Sequence, residues 1–160
     1  MRVLIAEDET IIRLDLRKLL EQAGFEVCAE AKDGLEAVEL GELLDRLRAM
    51  LVQGLAAGKE VQANLEPVLL AGSRATALAL VFSELFQNAL EHGGETVRIE
   101  LVRRDGDVVL AIADDGEGID DAAAGTGLSI VRALVRDELQ GKLRLRGNGG
   151  MRAEVVFPLS

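Results

Sequence analysis

Residues 84–116, ELFQNALEHGGETVRIELVRRDGDVVLAIADDG, decide the reading of the fold. Glu84, Asn88 and His92 recur every four residues and stack along one face of a helix. Leu78, Val81, Phe82, Leu85 and Ala89 share another face. Gly93-Gly94 ends that helix, with His92 placed as a C-terminal capping residue. Thr96 to Val102 then alternates, with Val97, Ile99 and Leu101 on one side, as a half-buried strand does. Asp105-Gly106 is a hairpin turn. Val108 to Ala113 is almost wholly apolar, the pattern of a strand covered on most of its surface. It ends on Asp114.

Working outward, Ser73 is a candidate N-cap for a helix running from Arg74 to about Glu91. Before it, Val61 to Ala71 holds one or two strand-like pieces broken at Pro67. After Asp114 a loop leads to a helix beginning at Leu128, with Val131, Leu134, Val135 and Leu139 turned inward. Lys142 to Arg146 and Arg152 to Pro158 read as two more strands, joined by Gly147-Asn148-Gly149-Gly150. Helices in one layer and a mixed or antiparallel sheet in the other make residues 59–160 an α/β two-layer sandwich.

The first forty residues carry a different rhythm. Arg2 to Ala6 is a short strand, and Thr10 caps a helix bearing Ile12, Leu14, Leu16, Leu19 and Leu20. Gly24 stops it, and Phe25 to Ala31 is a second strand. Asp33-Gly34 is a turn or helix start, with Leu35, Val38 and Leu40 opening a further helix. The unit is β-α-β-α, and its first helix has the length of a parallel crossover. Gly41 to Ala57 is helical, with Leu43, Leu44, Leu47, Met50, Leu51 and Leu55 as its apolar stripe. That stripe suits a linker, a piece of core or the seam of a homodimer. The chain thus divides into residues 1–40, a connecting helix over 41–58, and residues 59–160.

Composition bounds the function. The chain has 160 residues, 49% of them hydrophobic, with neither Tyr nor Trp, so its core is built from Leu, Val, Ile and Ala. A net charge of −10 excludes nucleic acid and anionic membranes as natural partners, because phosphates repel it. Cys28 is the sole cysteine, which rules out an intrachain disulfide and a cysteine-built zinc site and reads as a small buried strand residue. No apolar run is long enough to span a bilayer. Met1-Arg2 leads straight into a strand, without a leader sequence. A cytoplasmic location is expected.

Three segments concentrate the chemistry: Glu84 to His92, then Asp114-Asp115-Gly116-Glu117-Gly118-Ile119, then Gly125-Thr126-Gly127-Leu128. Singly, each has a bland reading. Glycine pairs are common in turns and at helix starts, and only Asn88, a poor residue for mid-helix, mildly favours a role. In this order and local setting they resemble the N, G1 and G2 boxes of the GHKL superfamily: sensor histidine kinases, gyrase-type ATPases, Hsp90 and MutL. The wording ELFQNALEHG and GTGLSIVRALV is most similar to the histidine-kinase branch, and the resemblance covers roughly residues 60–160.

That resemblance implies an ATP- and Mg2+-binding catalytic domain. Asp114 would accept the exocyclic amine of adenine, while Gly116 and Gly118 let backbone approach the base. Asn88 and Glu84 would face the metal, with Glu84 the catalytic carboxylate; magnesium takes hard oxygen ligands and keeps waters. Gly125, Thr126, Gly127 and Leu128 would open the next helix, whose free N–H groups and dipole face the phosphates. The segment Ile119 to Ala124 is shorter than the usual lid, so a more open phosphate site and weaker nucleotide affinity are expected.

Residues 1–40 resemble the opening third of a response-regulator receiver domain, in which the acidic pair after the first strand, here Glu7 and Asp8, helps hold magnesium. The resemblance stops near Leu40. No phosphoacceptor Asp follows a third strand: the run Val68 to Ala71 ends in Gly72-Ser73. A working receiver is not expected. The one histidine, His92, lies within the N box and is not a phosphoacceptor. Phosphotransfer would therefore need an acceptor His or a response regulator in trans. The union of a receiver start with a kinase ATP domain reads as a truncated fusion or an engineered chimera. Two rival readings stand beside the kinase-type one. They are a non-catalytic signalling interaction module with a vestigial ADP/ATP pocket, and a slow ATPase with Glu84 as base.

Overall fold

The computed structural model describes residues 2–6, 10–22, 24, 26–31, 37–55, 58–117, 126–147 and 149–159. Among the described residues four helices and nine strands follow one another as β1 (Arg2–Ala6), α1 (Thr10–Gln22), β2 (Glu26–Ala31), β3 (Ala37–Glu39), α2 (Leu40–Leu55), β4 (Glu60–Leu65), β5 (Leu69–Ala71), α3 (Gly72–His92), β6 (Thr96–Arg104), β7 (Asp107–Asp114), α4 (Thr126–Asp137), β8 (Lys142–Gly147) and β9 (Met151–Pro158).

The main sheet has the order β4-β6-β7-β9-β8. β4 and β6 run parallel because α3 carries the chain across between them; the other pairs are antiparallel. The β6–β7 hairpin turns at Asp105 and Gly106, with φ of 52° and 90°. Two successive left-handed residues match the twist of the flanking strands, and Asp-Gly tolerates them. Pairing then runs without interruption from Arg104 opposite Asp107 to Val97 opposite Asp114. This register puts Asp114 at the open end of the hairpin.

The alternation read from the sequence selects the packed face. Val97, Ile99 and Leu101 of β6, Val108, Leu110 and Ile112 of β7, and Ala153, Val155 and Phe157 of β9 meet the buried stripes of α3 and α4. On α3 these are Leu78, Val81, Phe82, Leu85, Phe86, Ala89 and Leu90; on α4 they are Leu128, Val131 and Val135. α2 adds Leu40 and Leu44. The opposite sheet face mixes the buried Val102, Val109 and Ala111 with charged side chains, and Arg152 there lies 3.6 Å from both Glu100 and Glu154. One half-buried cation ties the layers together. Arg74, at the start of α3, donates to the carbonyls of Leu159 at 3.0 Å, Leu139 at 3.2 Å and Pro158, and lies 5.6 Å from the Phe157 ring centroid.

Near the N-terminus β1 and β2 pair in parallel around α1, as the crossover length predicts. Two local expectations need correction. Residues 37–39 do not open a helix. They form β3, antiparallel to β5 with Val38 opposite Leu70, and the helix waits until Leu40. The switch is made by Glu39, whose carboxylate accepts from the backbone N–H groups of Gly41 at 2.8 Å, Glu42 at 2.6 Å and Val68 at 3.1 Å. It therefore caps α2 and anchors the approach to β5 at once. Nor is Ser73 the N-cap of α3. The chain passes from β5 into α3 without a loop, Ala71 takes the cap position, and no side chain caps that end. Glu7, Asp8 and the side chain of Cys28 lie outside the described residues.

Candidate functional site

Three chain turns converge beside α3. At the end of β7 the Asp114 carboxylate uses Oδ1 to accept from the N–H of Gly116 at 2.9 Å and of Met151 at 3.3 Å. Among the described residues Oδ2 receives no hydrogen bond. Asp114 is half-buried, so a free carboxylate oxygen at a strand end faces a partly desolvated space. The enclosure is made by backbone. A Cβ on Gly93 would lie 2.7 Å from Cβ of Asp114, and one on Gly116 would lie 2.8 Å from the Gly94 nitrogen. At Gly150, φ of 127° and the nearby Asp114 carbonyl exclude a side chain as well. Glycine is required here because two turns and a strand start press together with no room for Cβ atoms.

A second cluster lies one helical stretch away. Glu84 projects from the middle of α3 onto the first turn of α4, where a Cβ on Gly127 would overlap its carboxylate. Asn88, half-buried, stands one turn further along α3 on the same face. Leu128 is buried in the core beneath this turn, which fixes the start of α4. From Glu84 to Gly93 the helix axis rises about 13 Å, at about 1.5 Å per residue. The structure thus brings Glu84, Gly127 and Leu128 together at one end, and Asp114, Gly116 and Gly93 at the other, with Asn88 between. Thr126 opens α4, though its side chain is outside the described residues, as are Gly118, Gly125 and the segment 119–124. His92 is exposed at the end of α3 and 3.9 Å from Glu91. Among the described residues no group of three or more His, Cys, Asp or Glu side chains converges on one metal-sized point.

Two side chains that the sequence reading did not single out organise the Asp114 end. Lys59 donates from Nζ to the carbonyl of Gly93 at 2.7 Å. Asp115 accepts from the Thr96 N–H at 2.9 Å, and that backbone donor holds its carboxyl below the ordinary value of 3.8. The signal for Asp115 was present, because an acidic pair before a glycine at a strand end often closes a turn. Lys59 had none, since its partner is 34 residues away.

Comparison with known proteins places this arrangement. Residues 73–160 match the family described as histidine kinase-, DNA gyrase B-, and HSP90-like ATPase. The sensor histidine kinase PdtaS of Mycobacterium tuberculosis is 36% identical over 137 residues, covering 76% of this chain and 27% of that protein. The transcriptional regulatory protein PdtaR of the same organism is 62% identical over 42 residues, 26% of this chain and 20% of that protein. The chain therefore spans only a fifth to about a quarter of these relatives. The histidine kinase domain from the Erythrobacter litoralis EL346 blue-light activated histidine kinase shares the fold, with a TM-score of 0.76 at 23% identity over 94% of this chain and 85% of that one. Among the described residues no helix is long and apolar enough to cross a membrane.

Proposed function

This chain belongs to the histidine kinase-, DNA gyrase B- and HSP90-like ATPase family, and we propose that it binds Mg-ATP along α3 as a histidine-kinase-type catalytic domain of two-component signalling. The observation that carries the proposal is Asp114. One carboxylate oxygen is held by two backbone donors while the other is left to accept from a ligand. An exocyclic amine of adenine suits that oxygen, and the Gly93, Gly116 and Gly150 backbone suits a flat ring. Gly118 would extend the same wall.

At the other end Gly125, Thr126, Gly127 and Leu128 would cradle the phosphates on the first turn of α4, whose N–H groups and dipole favour anions. Glu84 and Asn88 would face the metal. Two protein oxygens fit magnesium, which keeps waters and takes phosphate oxygens rather than an all-protein cage. The rise of about 13 Å between the clusters lets one extended nucleotide reach both. The likeness to a sensor histidine kinase favours phosphotransfer over hydrolysis with Glu84 as base. Among residues 1–160 His92 is exposed and away from the phosphate end, which favours an acceptor His or a response regulator supplied from outside them. The likeness of a 42-residue stretch to a transcriptional regulator favours a partner of that class.

A second reading, an interaction module with a relic pocket, draws on the six-residue segment 119–124, short for a lid. Calorimetric titration with Mg-ADP separates them. Saturable binding by the parent, lost in Asp114→Asn with its fold intact, is the expected result. No heat at millimolar nucleotide would hand the site to the interaction module.

A further inference from the structure

We propose that Lys59 is a positioning residue for base recognition. It holds the Gly93-Gly94 turn against Asp114 and thereby sets the orientation of the carboxylate that distinguishes adenine from a 6-oxopurine. The proposal rests on the nucleotide reading given above and deepens it.

The argument starts from what could move Asp114. Its Oδ1 is tied to the N–H groups of Gly116 and Met151, but two donors on one oxygen leave the carboxylate free to swing Oδ2 about that point. The steric stop is the backbone of Gly93, against which Cβ and Cγ of Asp114 lie too closely for even a methyl group to intervene. Gly93 follows the last residue of α3 and is held to the helix by its own N–H donating to the Ala89 carbonyl at 2.9 Å. A glycine pair at a helix end is intrinsically loose. What fixes it from outside is Lys59, just before β4, whose ammonium donates to the Gly93 carbonyl at 2.7 Å. That bond is charge-assisted and lies at the negative end of the α3 dipole, so it is stronger than a neutral pair. Asp115 closes the same turn from the far side through Thr96, and Gly94 has no room for a side chain beside Asp115. The Gly93-Gly94 turn is therefore clasped between a lysine and an aspartate, with the base-reading carboxylate behind it.

The chemical consequence is selectivity. A carboxylate oxygen accepts from the 6-amino group of adenine and repels the 6-carbonyl of hypoxanthine. Discrimination depends on Oδ2 standing where the substituent points. Loosening the turn lets the carboxylate swing aside, which weakens the adenine contact and relieves the repulsion. General damage to the pocket would weaken both nucleotides alike.

The test is the ratio of dissociation constants for Mg-ADP and Mg-IDP on the 160-residue chain, measured by calorimetry for the parent, Lys59→Met and Lys59→Arg, with thermal melts alongside. Met keeps the apolar stem and removes the donor, whereas Arg restores a cationic donor. The expected result is a preference for ADP in the parent that falls about fivefold in Lys59→Met, the scale of one modest charge-assisted contact, and returns in Lys59→Arg. An unchanged ratio in Lys59→Met, whatever happens to its melting temperature, overturns the positioning role and leaves the nucleotide site standing. If Lys59→Met fails to fold, Lys59→Ser, too short to reach the Gly93 carbonyl, takes its place: a ratio lowered to the same extent supports the role and an unchanged one overturns it. A parent that binds neither nucleotide overturns the site and this inference with it.

Discussion

Phe82 on α3 and Leu19 on α1 both sit on apolar stripes of helical period, yet Phe82 has no exposed surface and Leu19 is 61% exposed. The difference lies in what each helix faces. α3 lies across a five-stranded sheet whose inward rows of Val, Ile and Leu match its width. α1 accompanies a two-stranded parallel pair, and two strands offer too narrow a surface to bury a helix. Further along α1, Leu16 and Leu20 are only half-buried. Periodicity reports which face of a helix is apolar. It does not report whether anything covers that face.

The comparison breaks most visibly at Phe82. Its ring stacks on Phe86 with centroids 5.3 Å apart, and both are wholly enclosed between α3 and the sheet. Phe82→Ala removes one of the two largest side chains the helix buries there. A loss of about 3–5 kcal/mol is expected, the range for emptying a buried aromatic site, read as a lower denaturant midpoint with the slope unchanged. A loss under about 1 kcal/mol would be the scale of a site able to collapse, and α3 would then not be the keel of the fold.

The same contrast explains what was legible in the sequence. The β6–β7 hairpin could be read almost residue by residue, because Asp105-Gly106 and a strict alternation act locally and agree with the tertiary packing. The site was legible where glycine and acid follow a strand, as at Asp114 and Gly116. Residues 37–39 depart from the helical expectation because the step of three from Leu35 to Val38 points to a helix only weakly, the step of two to Leu40 suits a strand equally, and the pairing of Val38 with Leu70, 32 positions away, decides between them. Glu39 gave no warning either, since glutamate is not among the favoured capping residues and its third partner, Val68, is distant in sequence. Lys59 escaped for the same reason. Local signals reached the main chain of the site, and long-range ones were needed for the side chains that brace it.

A smaller effect sharpens the comparison at the tip of the sheet. Asp115 is exposed, and its carboxyl is held below 3.8 first by the Thr96 N–H. A group whose folded value is depressed contributes stability above its unfolded value and loses it as pH falls through the folded value. Asp115→Asn keeps an acceptor for Thr96 and removes the charge. The parent should therefore melt slightly above the variant at neutral pH, and the gap should close as pH falls below about 3.8, where a protonated Asp and an Asn are near equivalents. A gap that widened in acid would show that the bond to Thr96 is not the dominant influence on this carboxyl.

The smallest effect is expected on α1, where it tests whether the exposed stripe is as uncovered as it looks. Leu19→Lys replaces an exposed leucine with an ammonium one turn after Asp15, a favourable spacing along a helix. If solvent is the only neighbour of Leu19, stability should change by no more than about 0.5 kcal/mol, the usual limit for surface substitutions. Thermal melts at two protein concentrations make the result decisive. A fall of several degrees that grows with concentration would mean that a second copy covers the stripe, because only an intermolecular contact gains stability by mass action. α1 would then owe its order to assembly, and the contrast with α3 would be one between a helix buried by its own chain and a helix buried by its twin.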